Sequence, residues 1–119
     1  MKIFQIEKDK AKHVTHFGSE CLLNPLISSN GEYKTSFVTL EAGGIIGFHE
    51  AAVPQLMMVI SGSGEVCSED KKYQPVKQED VIFWERGEWH ESISAQGMTA
   101  LIIEGPALKE SHIHLKETV

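Results

Sequence analysis

The chain has 119 residues, of which 41% are hydrophobic and 24% charged, and a formal net charge of −6. This length fits one domain around one core. The acidic balance opposes phosphate backbones, so we expect no nucleic-acid partner. The longest apolar run, residues 56–60, is too short to cross a bilayer, so we expect no membrane partner. With no signal-peptide pattern and two cysteines outside any CxxC spacing, we expect a reduced, cytoplasmic setting.

The first half of the chain is rich in strand patterns. Residues 33–41 are β-branched and aromatic, and the Asn30-Gly31 pair before them favours a tight turn. Residues 55–61 are apolar on both faces, as expected of a strand between layers. The SGSG sequence at residues 61–64 then predicts a turn, after which GEVCS returns as a strand.

Further short strands are predicted at residues 80–84, 88–92 and 98–104, after a polar hairpin turn in the EDKKYQ stretch. The tail at residues 106–119 fits a strand, a short helix or a loop. No segment shows sustained helical periodicity, so we predict a single all-β domain over residues 1–119. Many short strands in one small domain favour a sandwich or barrel, since closure removes exposed edges.

Two histidines carry the chemistry. His49 and His90 lie about forty residues apart, and each precedes a glutamate. Residues two apart in a strand share a face, which places His49 with Ala51 and His90 with Glu88. If both imidazoles and Gln55 point into the barrel, two nitrogens and one amide oxygen converge, which suits a divalent transition metal. The alternative for each histidine is a hydrogen-bonded residue of the barrel, and Gln55 could bond to His49 or to a small ligand.

This region resembles the cupin superfamily, whose first motif reads Gly, five residues, His-x-His, three or four residues, Glu, six residues, Gly. Gly43, His49 and Gly62 stand at matching positions. Ala51 replaces the second histidine and Gln55 the glutamate. The resemblance is to small one-domain bacterial cupins with an HxAxxxQ first motif and a GExH second motif.

The second cupin motif reads Gly, five residues, Pro-x-Gly, two residues, His, three residues, Asn. Gly87 and His90 match it, whereas Glu79, Glu85 and Ser94 replace the Gly, Pro and Asn. The two motifs span about residues 43–64 and 79–94. The resemblance implies a jelly-roll β-barrel of two antiparallel sheets that takes a small oxygenated molecule. It also implies a homodimer, with residues 1–6 as a strand exchanged between subunits.

The site predicted from these residues is a metal bound by His49, Gln55 and His90. Fe, Mn, Ni and Zn all suit imidazole ligands, so the sequence does not distinguish them. Because Gln55 removes the family carboxylate, Glu104 at the end of an apolar strand, or less favourably Glu88, is the candidate to restore it. The other residues predicted to line the pocket are Met57, Ala51, Phe83 and Ile102.

Three functions fit this sequence. The first is a metal-dependent enzyme of the dioxygenase or isomerase type, the second a module that binds a small ligand with or without metal, and the third a structural cupin. Because the second carboxylate and third imidazole are missing from the motif spacing, we predict small-molecule binding at a metal site rather than a defined activity. His112 and His114 lie far from the motifs, and we expect them to be a free surface pair.

Overall fold

The computed structural model describes residues 5, 7–28 and 32–117. Within these ranges the chain forms nine strands and three 3₁₀ turns, and no helix there is long and apolar enough to span a membrane. The 3₁₀ turns are Lys8–Lys10, His16–Gly18 and Glu110–His112. The strands are β1 (Lys12–Val14), β2 (Cys21–Ser28), β3 (Lys34–Leu40), β4 (Gly44–Glu50), β5 (Gln55–Cys67), β6 (Gln74–Lys77), β7 (Val81–Trp84), β8 (Trp89–Ser94) and β9 (Met98–Glu104).

All strand pairs in the described chain are antiparallel, and the main path runs β1-β2-β3-β9-β5-β8-β4, with β6 and β7 also paired to β5. A bridge between Glu20 and Ile45 links the residue before β2 to β4 at the far end of this path. The curled antiparallel sheet confirms the predicted all-β jelly-roll fold. The Asn30-Gly31 turn, and residues 1–4 and 6 of the predicted exchanged strand, lie outside the described residues.

The predicted turn at residues 61–64 is wrong. β5 continues through the SGSG sequence for 13 residues, pairing first with β7 and β9 and then with β6 and β8. A bulge between Val59 and Ser61 and a positive φ of 79° at Gly62 bend the strand instead. A side chain at Gly62 would collide with the carbonyl oxygen of Gly97. Gly62 therefore lets β5 bend from its partners β7 and β9 toward its partners β6 and β8 without leaving the hydrogen-bonded ladder.

The core lies on the inner face of the curled sheet. In β5, Met57 and Val59 face inward, where Met57 is in register with Ile102 and Val59 with Ala100. These four residues belong to one buried cluster of apolar side chains. Both cysteines are buried free thiols, as expected, and burial raises the pKa of Cys21 to about 11.

Candidate metal centre

The structure brings the two predicted histidines together on adjacent strands. His49 of β4 and His90 of β8 are direct cross-strand partners, one step past a bulge that begins at Ile46. Their ring centroids lie 4.5 Å apart with the ring planes tilted by 53°. Direct partners in an antiparallel pair point to the same face, so β4 and β8 alone determine that the two rings meet.

Each imidazole is oriented by a backbone carbonyl two residues earlier. His49 Nδ1 lies 2.7 Å from the Gly47 oxygen, and His90 Nδ1 lies 3.2 Å from the Glu88 oxygen. A carbonyl oxygen only accepts hydrogen bonds, so both Nδ1 atoms carry the proton. Both Nε2 atoms therefore keep a lone pair, which is the tautomer that binds a metal through Nε2.

His90 is the more buried of the two histidines. The residue is 1% exposed, and its Nε2 has no hydrogen-bond partner among the described residues. Burial lowers the pKa of His90 to about 4, helped by repulsion from His49 and opposed by the hydrogen bond to Glu88. His90 is therefore neutral at physiological pH, and its Nε2 is a buried acceptor to which no described residue donates a hydrogen bond.

Two aromatic rings enclose the histidine pair. Trp84, which is 3% exposed, stacks on His90 with a centroid distance of 4.5 Å and an angle of 23°. Phe17 stacks on His49 at 5.1 Å and 12°. Phe17 was not foreseen at all, and the only signal for it is an aromatic residue before a glycine in a polar stretch.

Gln55 and Glu104 form a polar pair on the inner face near Trp84. Gln55 is in register with both Glu104 and Trp84, and its amide donates a 3.0 Å hydrogen bond to Glu104 Oε2. No group of three His, Cys, Asp or Glu side chains with metal-binding geometry occurs among the described residues. The structure thus does not bring Glu104 into a three-ligand group with the histidines, and Glu104 instead holds the Gln55 amide.

Glu88 contributes its backbone rather than its carboxylate. Its carbonyl oxygen accepts hydrogen bonds from His90 and from the buried Ala51 N–H. The carboxylate accepts from the Ser68 hydroxyl and from the Glu85 N–H, which holds it in the adjacent loops. Glu88 therefore orients His90, and Ala51 joins β4 to the loop before β8.

The predicted pocket-lining residues divide between the two faces of the sheet. Met57 and Ile102 lie in the core, where Met57 Sδ is 3.9 Å from the hydroxyl of Ser92. Phe83 is in register with Leu56, one residue out of step with Met57, and so lies on the outer face. The expectation that Phe83 lines the interior is therefore corrected, because a shift of one residue reverses the face.

Other features lie away from the pair. An open depression of about 550 Å³ is lined by Ser68, Glu69, Asp70 and residues 85–88, and a second of about 480 Å³ by residues of β5, β6 and the loop after β8. Neither is lined by His49 or His90. His112 and His114 are exposed at the 3₁₀ turn near the end of the described chain.

The comparisons with known proteins agree with this architecture. A family model described as a cupin domain matches residues 36–104. A Cupin 2 conserved barrel domain protein from Salinispora arenicola is 15% identical, with 90% of each chain covered and a TM-score of 0.74. A cupin-like protein from Thermotoga maritima is 16% identical over 86% of this chain and 80% of that one, with a TM-score of 0.76.

A third solved structure, a predicted oxalate decarboxylase from Thermotoga maritima, is 18% identical over 84% of this chain and 96% of that one, with a TM-score of 0.69. No curated protein sequence matches this chain. Identities this low establish the fold and leave the activity open. The matched segment covers more than half of the chain and includes His49 and His90. The chain therefore belongs to the cupin family.

Proposed function

We propose that this cupin binds a small oxygen-bearing molecule through a divalent transition metal held by Nε2 of His49 and His90. The observation that carries the proposal is the buried, unpartnered Nε2 of His90 beside the ring of His49. A buried acceptor without a partner costs about 1–3 kcal/mol, and a metal ion would remove that cost. The carbonyl contacts to both Nδ1 atoms are the outer contacts that metal-bound histidines commonly have.

Gln55 supplies the best candidate for a third ligand atom. Its amide nitrogen donates to Glu104, which leaves the amide oxygen without a described bond and chemically suited to a metal or to its ligand. Two imidazoles and a neutral amide leave the full positive charge on the ion. Such a centre polarises bound oxygen atoms and favours an anionic small molecule such as a carboxylate.

The same geometry favours binding over turnover. Catalysis by a metal centre of the dioxygenase or isomerase type usually draws on a carboxylate or a further imidazole close to the ion, and the described residues hold no third such group with the pair. A metal-free variant of the function follows from the same atoms, because both Nε2 lone pairs can accept hydrogen bonds directly from a ligand. We therefore place ligand binding before enzymatic activity.

A homodimer through the outer face of the sheet forms part of the proposal. Register places apolar side chains there that are absent from the core cluster. They form two rows across the sheet. The first row consists of Phe37, Leu101, Met58 and Val81, and the second of Ile103, Leu56 and Phe83. None of these seven residues is charged, so two copies with a net charge of −6 each can meet here without like-charge contacts.

Metal content tests the function directly. Protein purified without an affinity tag is loaded with Co²⁺, Ni²⁺, Zn²⁺ or Fe²⁺, desalted and measured by elemental analysis, alongside His49→Ala and His90→Gln. We expect about one ion per chain in the wild type and none in either variant. The matched control is His112→Ala combined with His114→Ala, which should retain the ion. Metal that is lost from the control and kept by the site variants would contradict the proposal.

Ligand binding is then measured by calorimetry with small carboxylates on metal-loaded and chelator-treated protein. The metal-centred function predicts heat only from the loaded form. Equal affinity in both forms would contradict the metal-centred function and would indicate that the imidazole pair binds the ligand without metal.

A further inference from the structure

The turn that carries Phe17 has an unusual residue at its tip. Phe17 adopts φ 59° and ψ 30°, Gly18 follows with φ 71°, and the Ser19 N–H donates to the His16 carbonyl at 2.9 Å. A tight turn with two consecutive positive φ values favours Asn, Asp or Gly at its first central position. A bulky aromatic residue is strained there, so the backbone provides no reason for phenylalanine.

The turn is fixed against β4 at a glycine. The Gly47 N–H donates a 2.9 Å hydrogen bond to Ser19 Oγ, and a side chain at Gly47 would overlap the carbonyl of Phe17. This close approach lays the Phe17 ring flat on His49. Phe17 nevertheless remains 67% exposed. The strained residue therefore gains little burial in return, and core packing does not account for it.

We propose that Phe17 is a positioning residue for the metal ligand His49, a role that rests on the proposed function. The Gly47 carbonyl fixes Nδ1 at one edge of the imidazole, and the Phe17 ring fixes the plane of the imidazole. Together the two contacts restrict the orientation of the His49 ring beside His90, as the stack on Trp84 does for the His90 ring. A bound cation withdraws electrons from the imidazole and strengthens its attraction to the π-face of Phe17.

The first test is Co²⁺ titration of chelator-treated, untagged protein, followed through the absorption of the bound ion. Loss of an aromatic stack that orients a ligand residue should change the Co²⁺ affinity by roughly threefold to tenfold. Phe17→Leu and Phe17→Gly should therefore weaken Co²⁺ binding by about that factor, whereas Phe17→Tyr should restore wild-type affinity. The matched control is Tyr73→Leu, which removes another exposed aromatic ring and should leave affinity unchanged.

Stability separates positioning from a structural role. Glycine accepts the positive φ at position 17, so Phe17→Gly should keep or raise the thermal midpoint of the metal-free protein while it weakens Co²⁺ binding. A structural residue would lose both together. A lower midpoint that accounts for the weaker binding would overturn the positioning role.

Nuclear magnetic resonance supplies a readout that needs no metal. The imidazole protons of His49 should lie upfield in the wild type because of the ring current of Phe17, and should move downfield in Phe17→Leu. No change in these resonances would overturn the inference. A wild type that binds no Co²⁺ would overturn the proposed function and this role with it. Equal Co²⁺ affinity in wild type and Phe17→Leu would overturn the positioning role alone.

Discussion

Acidification should destabilise the metal-free protein through His90. In the unfolded chain this imidazole titrates near its ordinary pKa of 6.5, whereas in the folded protein burial lowers its pKa to about 4. Between these values the unfolded state binds the proton and the folded state does not. The contribution of neutral His90 to the free energy of unfolding is therefore fully present above the pKa of the unfolded chain. It is lost as the pH falls toward the pKa of the folded protein.

The size of the effect follows from the two pKa values. One pKa unit corresponds to about 1.4 kcal/mol, so the whole difference amounts to roughly 3 kcal/mol. Between pH 7 and pH 5 the expected loss is about 2 kcal/mol. This interval lies above the range in which most carboxylates titrate, so His90 dominates the loss there.

Urea unfolding of chelator-treated protein at these two pH values measures the loss. His90→Gln removes the titrating group, so its free energy of unfolding should change with pH by about 2 kcal/mol less than that of the wild type. His112→Gln, an exposed histidine, should keep the wild-type dependence. The same pH dependence in wild type and His90→Gln would refute the reasoning, whatever the absolute stability of the variant.

Three further outcomes test the fold. Gly62→Ala should cost about 2–4 kcal/mol of unfolding free energy, because it combines a positive φ with a collision at Gly97. Gly43→Ala, which has a positive φ in open space, should cost about 1 kcal/mol. Equal costs of the two variants would contradict the close approach at Gly62. Met57→Ala should cost about 2–5 kcal/mol in urea unfolding without changing the mass in solution. Met58→Glu, one residue along on the outer face, should instead convert a dimer to a monomer in light scattering, and a monomeric wild type would remove the dimer proposal.

Strand positions were largely predictable because they follow from local composition. Residues 98–104 match β9, and residues 33–41 contain β3. The first segment is largely aliphatic with three β-branched residues, and the second is rich in β-branched and aromatic residues. The predicted turn in the SGSG sequence was wrong because it, too, followed from local composition. Glycine and serine favour turns on their own, but the partners on both sides of β5 hold the segment in the ladder, and only tertiary structure reveals those partners.

The site was half predictable. The pairing of His49 with His90 followed from a motif spacing, even though their strands are far apart in the chain. The contact of Phe17 with His49 did not follow, because it depends on the missing side chain of Gly47 in β4. Phe83 was assigned to the wrong face because the alternation within a single strand does not say which of its two faces is the inner one.

Two unfavourable features meet at the histidine pair, and their location is the strongest argument for a ligand there. The buried Nε2 of His90 lacks a partner, and Phe17 holds a strained backbone while it remains mostly exposed. A leucine at position 90 would remove the first cost and a glycine at position 17 the second, each with the barrel intact. Each cost is of the order of 1–3 kcal/mol. The first falls on His90 itself, and the second falls on the residue whose ring stacks on His49. An ion bound to the two Nε2 atoms would remove the first cost directly. It would offset the second only through a stronger contact between the Phe17 ring and the His49 imidazole.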